Sequence, residues 1–109
     1  KATICFVNKD NVDKVQKCAT PLGKEVSEIE KFEIDVKDMM EGFPPMIASS
    51  QSAMFCEYYD TYEIPGDTTP VVLELKYQYI DDDRINERNH INIDNIGRCG
   101  VTFKALVDL

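Results

Sequence analysis

The sequence holds almost none of the patterns that announce chemistry. Its one histidine, His90, is the sole general-base candidate near neutral pH. No G-x-S-x-G turn presents a serine nucleophile, and Ser49, Ser50 and Ser52 sit in a run of small residues instead. No pair of its four cysteines is spaced C-x-x-C, and with one histidine that leaves no donor set for structural zinc. No apolar run approaches the roughly eighteen residues of a membrane span. There is no Asn-x-Ser/Thr sequon. Clustered basic residues are also missing. Twelve Lys and Arg are scattered among twenty acids, for a net charge of −8. That balance argues against nucleic acid and against an anionic membrane as partner.

These absences set the first expectations: no catalytic residue, no enzyme, no metal and no cofactor. Asp81, Asp82 and Asp83 suggest calcium at first sight. Ile85 stands where a further oxygen ligand would be needed, and no glycine makes the turn of a calcium loop. Three successive acids suit a solvated tip that discourages edge pairing.

What is present is alternation. Leu73, Leu75, Tyr77 and Tyr79 point one way while Val72, Glu74, Lys76 and Gln78 point the other. Cys99, Val101, Phe103, Ala105 and Val107 likewise share a face. Period-two patterning predicts strands with one buried and one wet face.

Taken in order, Ala2 to Val7 is short, apolar and strand-like. Asn8, Asp10 and Asn11 are N-cap candidates for a helix carrying Val12, Val15, Cys18 or Ala19, and Leu22, stopped by Pro21 and Gly23. Lys24 to Gly42 reads as a helix in its first half, with a strand able to begin near Phe32. Phe43-Pro44-Pro45-Met46 is a connector, because proline can neither donate to a ladder nor sit inside a helix. Strands are predicted over 53–63 and 71–80, joined through the Ile64-Pro65-Gly66-Asp67 turn. Two more follow at 90–96 and 98–107. The fold expected is α+β in a single domain, 1–109. One or two N-terminal helices pack on a mostly antiparallel sheet of four to five strands.

Cys5, Cys18, Cys56 and Cys99 form an even, widely spread set in a short chain, which predicts two disulfides and an extracellular, secreted protein. A helix folding back along the first strand would carry Cys18 roughly 12 Å up its axis, level with Cys5. Pairing 5–18 and 56–99 is therefore preferred among three connectivities. The two loops would contribute about 3 and about 4 kcal/mol.

Tyr58, Tyr59, Tyr62, Tyr77 and Tyr79 crowd into one stretch. Adjacent tyrosines on a strand face opposite ways, so Tyr58 or Tyr59 is exposed. Tyrosine supplies rigid contact area with one hydrogen bond. The function expected is a secreted protein-binding domain without catalysis. It would use Tyr58, Tyr59 and Tyr62 with Asp81, Asp82 and Asp83 against a partner with a basic surface, and leave room for a homo-oligomer. The alternative is a carrier holding a small hydrophobic ligand between helix and sheet, among Leu73, Tyr77, Ile29, Phe32 and Met39.

Overall fold

Ten successive residues of alternating, β-prone character, Ser52–Thr61, form the central strand β4 of the main sheet. The computed structural model describes all 109 residues. In chain order they form β1 (Ala2–Cys5), helix α1 (Val12–Lys17), helix α2 (Glu28–Lys31), β2 (Val36–Lys37) and β3 (Met46–Ile47). After β4 come β5 (Val71–Ile80), a 3₁₀ turn (Asp82–Arg84), β6 (Ile96–Cys99) and β7 (Thr102–Ala105). β1, β4 and β5 make an antiparallel sheet in that order, while β2 with β3 and β6 with β7 are separate two-stranded pairs.

Register explains where the core sits. Thr3, Phe55 and Tyr77 lie opposite one another across the main sheet, and so do Cys5, Ala53 and Tyr79. Phe55, Ala53 and Met46 are fully enclosed, and Cys5, Met39, Met40, Phe43 and Tyr79 pack around them. The Pro-Pro connector is the cover of this core. Phe43 meets the rings of Phe55 and Tyr77 edge-on, at 5.8 and 5.9 Å between centroids. The Thr3 hydroxyl donates to the Pro44 carbonyl at 2.6 Å, and the Lys1 ammonium lies 4.7 Å from the Phe43 ring centre. Proline suits this place because the connector's backbone needs few of its own donors.

The core is small. Nine residues are buried, and five of them are polar: Asn8, Asn11, Ser50, Gln51 and Ser52. Much of the remaining apolar surface, Ile4, Leu75 and Tyr77 included, stays open. The outer edges of β1 and β5 carry no further strand.

Three features of the expected fold are corrected. No helical layer covers the sheet, because α1 has six residues and α2 four, and neither buries a side chain. No strand runs over 90–96, where a single bridge joins Ile91 to Ile85. The last alternating stretch is a hairpin rather than one strand. It turns at Gly100, whose φ of 64° is open to a residue without a Cβ. The molecule is mostly sheet with few helices.

The expected disulfides are absent as well: Cys5, Cys18, Cys56 and Cys99 are all free thiols. Cys5 packs against the core and Cys56 is buried in β4, whereas Cys18 ends α1 and Cys99 lies exposed in the separate β6–β7 hairpin. Neither predicted pair is brought together. Unpaired thiols imply nothing about an oxidising compartment.

Candidate functional site

Four segments far apart in sequence converge where β1 ends. Asn8 starts the junction. Its Oδ1 accepts from the backbone N–H groups of Asp10 and Asn11, at 2.9 and 3.1 Å, and its Nδ2 donates to the Ser49 carbonyl at 2.7 Å. Asn11 returns the bond, its Oδ1 accepting from the Asn8 N–H at 2.9 Å. Short asparagine side chains bond their own local backbone readily, and here the reciprocal pair sets the start of α1. Gln51 Oε1 accepts from the Asp94 N–H at 2.7 Å, and Asp94 Oδ2 accepts from the Lys9 N–H at 3.0 Å. Arg84 lies 3.7 Å from the other Asp94 oxygen. The Lys9 N–H is the leading reason that the Asp94 carboxyl titrates below the usual carboxylate range, with Gln51 and Arg84 adding to it.

Two hollows flank this junction. The first is a cleft of about 210 Å³ between α1 and the 34–35 and 47–49 segments. Val15, Ile34 and Ile47 give it apolar walls, and Asp10, Asp35 and Lys14 give it charge. The Lys14 ammonium already donates to the Glu33 carbonyl. Asn11 also lines the cleft, and its Nδ2 is buried without a hydrogen-bond partner, as is the neighbouring Ser50 Oγ. At the cleft's wall, burial and then the Glu28 carboxylate push the Cys18 thiol upward, so it stays protonated and is a poor nucleophile at neutral pH.

The second hollow is an open groove of about 390 Å³ between the end of β1 and the C-terminal segment. Phe6, Val7, Ile93, Ile96 and Leu106 line it, and Asp94 and Asn95 are its polar groups. An adjoining depression shares Ile93 to Ile96 and Leu106 and adds Lys9.

The residues singled out from sequence fall elsewhere. Tyr58, Tyr59 and Tyr62 stand exposed toward one end of the main sheet. Asp81, Asp82 and Asp83 follow β5 at the opposite end; Tyr58 faces Leu73, eight residues before Asp81, which is roughly 26 Å. They do not form one surface. The Asp81 carboxylate instead accepts from the Tyr79 hydroxyl. His90 closes a turn, its N–H donating to Asn86 Oδ1 at 2.9 Å, and lines neither hollow. None of Leu73, Tyr77, Ile29, Phe32 and Met39 lines the cleft or the groove. Asn8, Asp10 and Asn11 were expected as N-caps; Asn11 holds that position without a side-chain cap bond, and the asparagine side chains instead bond the turn before the helix. Their convergence with Gln51 and Asp94 has no local signal.

Comparison with known proteins places this geometry. A family model described as a flavin reductase-like domain matches residues 1–99. No curated protein matches the sequence. Among solved structures, the chain is similar to a Shewanella frigidimarina protein described as a flavin reductase with a split-barrel domain. The two share 19% identity and a TM-score of 0.87 over 98% of this chain and 57% of that one. It is also similar to the 2-nitrobenzoate 2-nitroreductase NbaA of Pseudomonas fluorescens, at 18% identity and a TM-score of 0.86, over 98% of this chain and 55% of that one. Flavoredoxin of Desulfovibrio vulgaris gives 12% identity and a TM-score of 0.82, over 98% of this chain and 59% of that one. The chain thus spans little more than half the length of these structures. The fold is the split barrel, which corrects the expected helix-on-sheet α+β arrangement. The same matches overturn the expectation of a non-enzymatic binding domain, and the hydrophobic-ligand carrier with it, since they lead to flavin reductase-like proteins.

Proposed function

Since the chain belongs to the flavin reductase-like domain family, we propose that it works within a flavin-binding oxidoreductase. The match over residues 1–99 is the observation that carries this reading.

The two hollows differ in their fit to a flavin. The cleft beside α1, at about 210 Å³, is smaller than the roughly 300 Å³ at which ligand pockets begin. Asp10 and Asp35 would also repel a phosphate there. The groove beside β1 suits the ring system better. Its volume of about 390 Å³ is adequate, and Phe6, Val7, Ile93, Ile96 and Leu106 offer apolar contact to a planar aromatic ring. Asp94 and Asn95 provide polar groups for the ring's edge, and Lys9 is the cation nearby for a phosphate. When bound, a flavin supplies hydride or single-electron transfer. The chain's own residues bind it, keep water from one side and hold Asp94 ionised through the Lys9 N–H.

The test is a titration of FMN into the protein, followed by quenching of flavin fluorescence, with NADH or NADPH then added under anaerobic conditions. Saturable binding and bleaching of the bound flavin are expected. Phe6→Ser or Ile96→Ser should weaken binding about tenfold, while Val15→Ser in the cleft should leave it unchanged. If FMN neither binds nor is reduced, the oxidoreductase reading fails. If Val15→Ser weakens binding and Phe6→Ser does not, only the groove assignment fails.

A further inference from the structure

β1 pairs with β4 only as far as Cys56. Beyond it, Glu57–Thr61 continues as a two-stranded ribbon with Val71–Glu74 of β5, and its other edge has no strand. The register skips Tyr59, so Tyr58 faces Leu73 and Asp60 faces Val72. Such a bulge bends the strand and re-aims its side chains. Here it leaves an aromatic patch in solvent: Tyr58 is 60% exposed, Tyr59 69%, Tyr62 59%, Ile64 56% and Val71 53%. Tyr58 is held in place by a 2.7 Å hydrogen bond to Thr61 Oγ1. Several exposed aromatic and aliphatic side chains along one short ribbon have the composition of a recognition site.

The charge around the patch selects the partner. Glu57, Asp60, Glu63, Asp67 and Glu74 surround it, and Lys76 is the one base on these strands. Lys76 is bound to Glu74 at 2.9 Å, and Glu57 is met by Lys1 at 3.7 Å. Asp60, Glu63 and Asp67 have no ion-pair partner. A second copy of the chain would bring the same acids against these, which disfavours self-pairing. Arginine fits both halves of the patch, because its planar guanidinium stacks on tyrosine faces and forks onto carboxylates, whereas lysine is a point charge.

We propose that the Glu57–Ile64 and Val71–Glu74 ribbon docks an arginine-bearing, partly apolar segment of a partner protein. This surface is separate from the groove assigned to flavin, and its test does not depend on that assignment.

The experiment is amide NMR of the whole chain titrated with a short peptide alternating arginine and leucine. Its lysine–leucine and glutamate–leucine counterparts serve as probes of charge alone. Shifts confined to 57–64 and 71–74 are expected, with the arginine peptide binding several-fold more tightly than the lysine peptide and the glutamate peptide not at all. The paired change Tyr59→Ser with Tyr62→Ser should weaken binding about tenfold and leave distant amides in place. Equal binding of the two basic peptides, with shifts spreading to Asp81–Asp83, would reduce the effect to net charge and overturn the proposal. Absence of any shift overturns it too. So do ribbon shifts that depend on protein concentration without peptide, which would identify a second copy as the occupant.

Discussion

Asp94 is the residue whose protonation matters most to the junction beside β1. Its carboxylate joins the Lys9 backbone to Arg84, while its own N–H is held by Gln51. A carboxyl whose pKa is lowered on folding contributes stability above its unfolded value, near 4, and that contribution is lost as pH falls through the lower folded value. Asp94→Asn should therefore cost about 1 kcal/mol at neutral pH and flatten the acid limb of stability below about pH 4. Urea midpoints measured across that range check it, and an unchanged acid limb would remove Asp94 from this role. The thiols should divide in the same residue-level way. Cys99 is exposed, whereas Cys18 is held protonated by burial and by Glu28. Alkylation in the native state should reach Cys99 first, and Glu28→Gln should speed the reaction at Cys18. Faster modification of Cys18 in the unaltered protein would contradict this order.

Helix α2 shows how an element ends without its usual residue. Ser27 Oγ accepts from the Glu30 N–H at its start. At its end the Ile34 N–H reaches back to the Ile29 carbonyl and the Glu33 N–H to Glu30, with Glu33 at φ 52°. That is the place where glycine normally closes a helix. Glu33→Gly should stabilise the protein by up to about 1 kcal/mol, read as a raised urea midpoint. The Lys14 contact survives the change because it is made to the Glu33 carbonyl. In the main sheet the decisive side chain is Phe55, enclosed by Met46, Ala53 and Phe43. Phe55→Ala should cost about 3 to 5 kcal/mol and abolish cooperative unfolding in so small a core. A sharp transition retained in that variant would mean the core extends beyond this cluster. β4 and β5 were readable because alternation over ten residues has few competing explanations. The bulges that skip Lys76 and Tyr59 were not: Tyr77 lies opposite Phe55 but Leu75 opposite Cys56, so the expected single buried face of Leu73, Leu75, Tyr77 and Tyr79 is broken, and Leu75 and Tyr77 stay half exposed.

At the scale of the whole molecule, stability rests on sheet pairing, the Phe43-Pro44-Pro45 cover and the asparagine-glutamine junction, with no covalent cross-link; Met46, expected in the connector, belongs to β3 and the core. Reductant should leave the melting temperature unchanged, and thiol titration in denaturant should count four free groups. A fall in melting temperature with reductant would restore the disulfide reading. By itself the sequence determined the two long strands, the proline connector and the acidic balance, because each follows from neighbours in the chain. Tertiary structure decided the rest. Four cysteines are compatible with disulfides or with free thiols, and only the distances between strands distinguish the two. Whether a proline connector links or covers depends on where Phe43 lands. The groove beside β1 joins Phe6 to Ile96 and Leu106 across some ninety residues of chain, a convergence for which local periodicity carries no signal.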